Sequence, residues 1–148
     1  MNLRVKIKRV KDVELPKYAK PGDAGFDLVA AEDTVIWPGE TNVVLTGLAF
    51  EIPPGYELQV RPRSGMTRNT KLRVVLGTVD SGYRGEVGVL VDNIEIPKAT
   101  NMQAHVIEKG TRIAQGVIAP VVTAHFEEAD ELSDSERGNR GFGSTGVK

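Results

Sequence analysis

At 148 residues the chain has the length of one domain, enough to bury a core without covalent staples. It contains no Cys, which excludes disulfides, a thiolate metal site and a cysteine nucleophile. A formal net charge of −1 argues against a general binder of nucleic-acid backbones, although Arg4, Lys6, Lys8, Arg9 and Lys11 crowd the start.

Leu3, Val5 and Ile7 alternate with Arg4, Lys6 and Lys8, the period-two pattern of a half-buried strand. This opening has no continuous apolar run, and no run elsewhere reaches membrane-spanning length. The expectation is a soluble, intracellular protein with neither a membrane nor a nucleic acid as partner. Pro16 and Lys20-Pro21-Gly22-Asp23 then break the chain into loop. Ala24-Gly25-Phe26-Asp27-Leu28 leads from loop to strand and carries one carboxylate. Thr34 to Trp37, Asn42 to Ile52 and Tyr56 to Arg61 read as short strands, punctuated by Pro38-Gly39 and Pro53-Pro54-Gly55. After Arg61-Pro62-Arg63, Ser64 is placed to cap a brief helix from Gly65 to about Thr70. A guanidinium, a hydroxyl and free backbone N–H groups there would favour an anion; a plain capped turn uses the same residues.

Val74 to Val91 reads as two β-branched apolar runs joined by Asp80-Ser81-Gly82, the pattern of a hairpin with a tight polar turn. Asp80 stands at the rim of that turn and Tyr83 follows three residues later, while Gly77, Gly85 and Gly88 leave main chain open to a flat ligand. Taken alone, this is also how an ordinary solvent-facing hairpin is written. Ala104 to Ile107 and Arg112 to Val122 are again apolar and β-branched, with Gln115 an amide that can face a phosphate or solvent. His105 and His125 lie far apart without cysteine partners, so no histidine-ligated metal is expected. Many short strands with almost no helical periodicity predict an all-β sandwich or barrel.

From Glu127 the composition changes. An acidic run precedes Arg137-Gly-Asn-Arg-Gly-Phe-Gly-Ser-Thr-Gly146, half of it Gly or Ser. Such a segment does not offset the entropy of ordering itself, which predicts a core of residues 1–126 and a mobile tail of residues 127–148. Gly141 to Gly146 matches G-x-G-x-x-G, but only Val147 and Lys148 remain to follow it, so a dinucleotide-binding strand–turn–helix is rejected. What survives is chemistry: N–H groups, the hydroxyls of Ser144 and Thr145, and Arg137 and Arg140 can wrap a polyphosphate. Phe142 offers a ring on which a base can stack.

In order along the chain, AGFDL (24–28), PRSGM (62–66), GTVDSGYRGE (77–86), GTRIAQ (110–115) and RGNRGFGSTG (137–146) resemble the motifs of the trimeric all-β dUTP pyrophosphatases, the dUTPases. The resemblance implies a jelly-roll-like, distorted β barrel that forms a homotrimer, each active site assembled from all three chains and closed by a tail. It implies dUTP as substrate and Mg2+ as cofactor, the metal held by the substrate phosphates and water rather than by side chains. Carried onto this sequence, it makes Asp80 the carboxylate that orients and deprotonates the water attacking the α-phosphate. Tyr83 would lie under the deoxyribose and exclude a 2′-hydroxyl. The main chain of Gly77, Thr78 and Val79, with Gly88, would read the uracil edge. Arg63, Ser64, Gly65 and Gln115 would hold phosphates, with Asp27 steadying Arg63. In the tail, Arg137 would reach the γ-phosphate and Phe142 would cover the uracil, with Gly143, Ser144 and Thr145 also substrate-binding.

This sequence departs from the family pattern at Arg140, where a small residue is usual, and in a longer connection from Asp92 to Glu108. Two alternatives stay open. The related dCTP deaminases share the fold, although Asp80 followed by Tyr83 and a complete fifth motif point to a dUTPase. A non-catalytic nucleotide-binding module would keep the barrel and act through partners.

Overall fold

The computed structural model describes residues 3–98, 100 and 102–146. Val147 and Lys148, the end of the predicted tail, lie outside the described residues, as do Met1, Asn2, Ala99 and Asn101. Ten strands and one short helix follow in chain order: β1 (Lys6–Arg9), β2 (Phe26–Val29), β3 (Thr34–Ile36), β4 (Thr41–Glu51), β5 (Tyr56–Arg61), α1 (Ser64–Asn69), β6 (Leu72–Val74), β7 (Gly77–Val79), β8 (Glu86–Asn93), β9 (His105–Ile107) and β10 (Arg112–Pro120). They form one sheet in the order β1-β4-β8-β6, a second in the order β2-β10-β5-β7, and a two-stranded ribbon of β3 and β9. The fold is all-β and jelly-roll-like, as expected. No helix among the described residues is long and apolar enough to cross a membrane.

Alternation explains the layers. In β8, Val87, Val89 and Val91 are buried while Gly88 and Leu90 between them face out. Leu28, Leu58, Val60 and Ile113 of the second sheet meet Val44, Phe50 and Leu72 of the first, and Ile36 and Ile107 of the ribbon close the same core. Each such side chain contributes about 1.5–3 kcal/mol by leaving water, so this shared core, rather than any surface ion pair, holds the sheets together. Buried polar groups are satisfied: Thr46 Oγ1 donates to the Val87 carbonyl at 2.7 Å.

The central stretch differs from its sequence reading. Its outer ends do pair antiparallel, Val74 opposite Val91. Its inner half does not form a hairpin, because β7 pairs with β5 in the second sheet while β8 pairs with β4 in the first. Periodicity reports which residues face inward but not which sheet receives them. The Asp80-Ser81-Gly82 turn, closed by the Tyr83 N–H to the Asp80 carbonyl at 3.1 Å, therefore hands the chain from one sheet to the other.

The helix also differs in its start. Arg63 is the N-cap residue and makes no side-chain cap bond, so Ser64 opens α1 instead of capping it. The far end is held by Arg73, whose Nη1 donates to the carbonyls of Thr67 (3.1 Å), Thr70 (2.9 Å) and Leu72 (2.9 Å). Carbonyls at the end of a one-and-a-half-turn helix have no partners of their own, and the guanidinium supplies them.

Candidate active site

The sequence-predicted residues fall into three groups. The first lines a cleft of about 400 Å³ that includes Asp23, Gly25, Asp27, Arg63, Ser64, Gly65, Arg112 and Gln115. Strand β10 is central in its sheet, and its register sets Gln115 opposite Asp27 on one side and Arg61 on the other. The Gln115 amide donates to the Pro62 carbonyl at 3.0 Å. Gly25 permits that placement, since a Cβ there would lie 3.2 Å from Gln115 Cδ. Asp27 Oδ1 is 3.1 Å from Arg63 Nε, and its Oδ2 is 3.7 Å from Arg112 Nη1. Arg63 Nη1 also donates to the Arg112 carbonyl at 3.3 Å. Asp27 and Arg63 are both about one-third exposed, so their pair contributes only about 0.2–1 kcal/mol to stability. Its consequence is orientation: a long guanidinium is held ready at the mouth of a cleft rich in donors.

The second group lines a smaller hollow of about 250 Å³, bounded by Val60, Gly77, Thr78, Val79, Asp80, Tyr83, Glu86, Val87 and Gly88. Gly77 pairs with Val60 across β7 and β5, and a Cβ on it would stand 3.2 Å from Val60 Cβ. Main chain is thus exposed to the hollow where a side chain would crowd it. Asp80 is solvent-exposed at the rim of the turn. Tyr83 donates its hydroxyl to the Glu86 carbonyl at 3.0 Å, and its ring lies over Gly85. A carboxylate, a flat ring and bare main chain therefore border one concavity.

The third group lies apart from both. Residues 127–140 are exposed, and Phe142 is fully exposed at φ 50°. The arginines of this segment bond locally: Arg137 Nε donates to the Arg140 carbonyl at 2.6 Å, and Arg140 Nε to the Arg137 carbonyl at 3.0 Å. Arg140 Nη2 also donates to the Glu136 carbonyl at 2.7 Å. Gly143, Ser144 and Thr145 form turns with the Ser144 N–H on Gly141 and the Gly146 N–H on Gly143. Within a single chain, then, the tail residues reach neither hollow.

Two residues escaped the sequence reading. Arg112 lines the first cleft and faces Asp27, and Glu86 lines the second hollow. Both stand inside quoted motifs, but their partners are remote in sequence, and nothing local announced a role. Among the described residues, no group of three or more His, Asp or Glu is placed to hold a metal ion. The first cleft sets the donors of Arg63, Arg112, Ser64 and Gln115, which suit phosphate oxygens, beside the carboxylates of Asp23 and Asp27.

A family model described as dUTPase matches residues 11–146. The deoxyuridine 5′-triphosphate nucleotidohydrolase of Thermobifida fusca (strain YX) is 52% identical over 147 residues, covering 97% of this chain and 79% of that protein. A mutant dUTPase of Staphylococcus bacteriophage 80alpha, solved with dUpNHpp, has a TM-score of 0.87 at 32% identity and covers 99% of this chain and 100% of its own. A mutant dUTPase from S. aureus phage phi11, solved with details of the coordination of a structural Mg(II) ion, has a TM-score of 0.83 at 25% identity over 89% of this chain and 100% of its own.

Proposed function

The chain belongs to the dUTPase family, and from that premise we propose that it hydrolyses dUTP to dUMP and pyrophosphate. Removal of dUTP limits uracil in DNA, and the product dUMP feeds thymidylate synthesis. The observation that carries the reading is the pairing of a glycine-floored hollow, with Asp80 and Tyr83 on its rim, with a separate polar cleft that presents Arg63, Arg112, Ser64 and Gln115. A nucleoside and a polyphosphate need those two environments.

The substrate is taken as its Mg2+ complex. When bound, Mg2+ would supply charge neutralisation on the phosphate oxygens, held by those phosphates and water, since no group of three or more His, Asp or Glu among the described residues is placed to hold it. Asp80, exposed and acceptor-only when ionised, takes a proton from a water aligned with the α-phosphorus. The water oxygen bonds to that phosphorus, the bond from phosphorus to the bridging oxygen breaks, and pyrophosphate leaves. Arg63, steadied by Asp27, with Ser64, the Gly65 N–H and Gln115, holds the phosphate oxygens as charge redistributes. Tyr83 supports the deoxyribose and leaves no room for a 2′-hydroxyl, while the main chain of Gly77, Thr78, Val79 and Gly88 reads the uracil edge.

The separation of the three groups in one chain supports a homotrimer in which neighbouring chains bring the cleft, the hollow and a tail together. In that assembly residues 127–146 act as a lid, Arg137 on the γ-phosphate and Phe142 over the base, with Gly143, Ser144 and Thr145 closing on the phosphates. Arg137 and Arg140 each bond to the other's carbonyl, and the γ-phosphate is assigned to Arg137 because its spacing to Phe142 fits the family pattern. An intracellular, soluble setting suits a substrate drawn from the nucleotide pool. Pyrophosphate release measured across the deoxynucleoside triphosphates with Mg2+ tests the reading. Release from dUTP alone is expected; ammonia release from dCTP, or no release from any of them, would overturn it.

A further inference from the structure

The Tyr83 hydroxyl is held by the main chain of Glu86, the first residue of β8, beside an irregularity in the sheet. Between β4 and β8 the rungs run Leu45 to Gly88 and then Ala49 to Glu86, so β4 spends four residues where β8 spends two. The regular ladder is interrupted between these two rungs, so Glu86 pairs with Ala49 on the far side of the irregularity. Its side chain adds a second tie across the same gap. Glu86 Oε2 accepts the Gly47 N–H at 2.8 Å, inside the bulge, and lies 2.9 Å from Lys11 Nζ; its Oε1 is 3.2 Å from the same ammonium. Lys11 is itself placed by the same bulge, because the Val10 N–H donates to the Gly47 carbonyl at 2.8 Å. The ammonium has a second carboxylate, Glu32, at 3.8 Å. Lys11 and Glu86 are both under one-third exposed, so the pair is partly shielded from solvent.

We infer that Glu86 is a positioning residue, anchored by Lys11 of the N-terminal arm, which sets the Tyr83 ring and through it the discrimination between deoxyribose and ribose. The inference rests on the dUTPase reading for its substrate and on the geometry alone for its coupling. Three contacts form the chain: Lys11 to the Glu86 carboxylate, the Glu86 carbonyl to the Tyr83 hydroxyl, and the Tyr83 ring over Gly85. A shift of residue 86 moves the acceptor of the tyrosine hydroxyl and so tilts the ring that borders the hollow.

The test compares Glu86→Gln and Lys11→Met, each in the full chain, with Lys11→Arg as the conservative variant. Gln at 86 keeps an acceptor for Gly47 and loses only the charge pairing. With fold and assembly checked by circular dichroism and sedimentation, both variants are expected to raise KM for dUTP roughly three- to ten-fold, to lower the preference for dUTP over UTP, and to leave kcat within about two-fold. Lys11→Arg restores the wild-type values, and the double variant Lys11→Met, Glu86→Gln is no worse than Glu86→Gln alone, because one contact is removed in each. A fall in kcat at unchanged KM, or unchanged KM and sugar preference in both variants, overturns the inference. A second readout needs no turnover: the NMR ring signal of Tyr83 in 13C-tyrosine-labelled protein, assigned with Tyr83→Phe, shifts in both variants. It shifts further in Gly85→Ala, where a new Cβ would stand 2.6 Å from Tyr83 Cζ and must displace the ring. If wild-type protein releases no pyrophosphate from dUTP, the proposed activity fails, while the ring signal still decides the positioning: its failure to move in Glu86→Gln and Lys11→Met would sink it.

Discussion

Arg63 Nε lies 3.1 Å from Asp27 Oδ1, across from a strand register that also brings Gln115 beside Asp27. The carboxylate thus holds one guanidinium by its side while Arg112 approaches its other oxygen at 3.7 Å. Asp27→Asn keeps the shape and removes the charge that orients both arginines. The melting temperature is expected to change little, since a pair one-third exposed is worth about 0.2–1 kcal/mol. KM for dUTP is expected to rise about ten-fold, equivalent to about 1.4 kcal/mol of binding. Steady-state kinetics beside a thermal melt checks both; a large loss of stability with unchanged KM would make Asp27 a structural residue.

Asp80→Asn removes the proposed proton acceptor and leaves the turn able to form. The expected result is a kcat lowered by about 10²–10⁴, with affinity for dUpNHpp within a few-fold of wild type. Stopped-flow turnover and calorimetric titration of the analogue separate the two. Near-normal turnover would take Asp80 out of the chemistry.

Truncation before Arg137 removes the exposed segment that contributes Phe142 and keeps the strands intact. Because the tail's hydrogen bonds run within the tail, unfolding by urea should be unchanged. Turnover should fall by at least about ten-fold, as expected of a lost lid. Full activity in the shortened protein would show that closure does not depend on this segment.

Leu58 is wholly buried between the sheets, on the strand that pairs with both β10 and β7. Leu58→Ala is expected to cost about 2–5 kcal/mol in chemical denaturation. A cost below about 1 kcal/mol would mean that the core collapses around the gap.

Much of the fold could be read from the chain. Strand β5 runs over Tyr56–Arg61, the same residues that the sequence marked as a short strand after Pro53-Pro54-Gly55; β3, β9 and β10 lie within their expected runs, and β4 starts one residue earlier than expected, at Thr41. The central stretch was half legible: Val74 and Val91 do pair, but the division of β7 and β8 between sheets is a long-range choice that no local pattern encodes. The same limit hid Glu86. Its partner Lys11 is 75 residues away, so the charge was visible and its use was not. Arg112 was passed over because an Arg at the start of a strand reads as a solvated end until Asp27 is seen opposite the strand.

The split between β7 and β8 has a bearing on how such a site can be tuned. The residue proposed as base directly follows β7 of one sheet and is joined to β8 of the other through residues 81–85, so its position depends on how the two layers sit against each other. Substitutions deep in either layer, far from any nucleotide, are therefore routes by which turnover can be adjusted with the reacting residues left untouched.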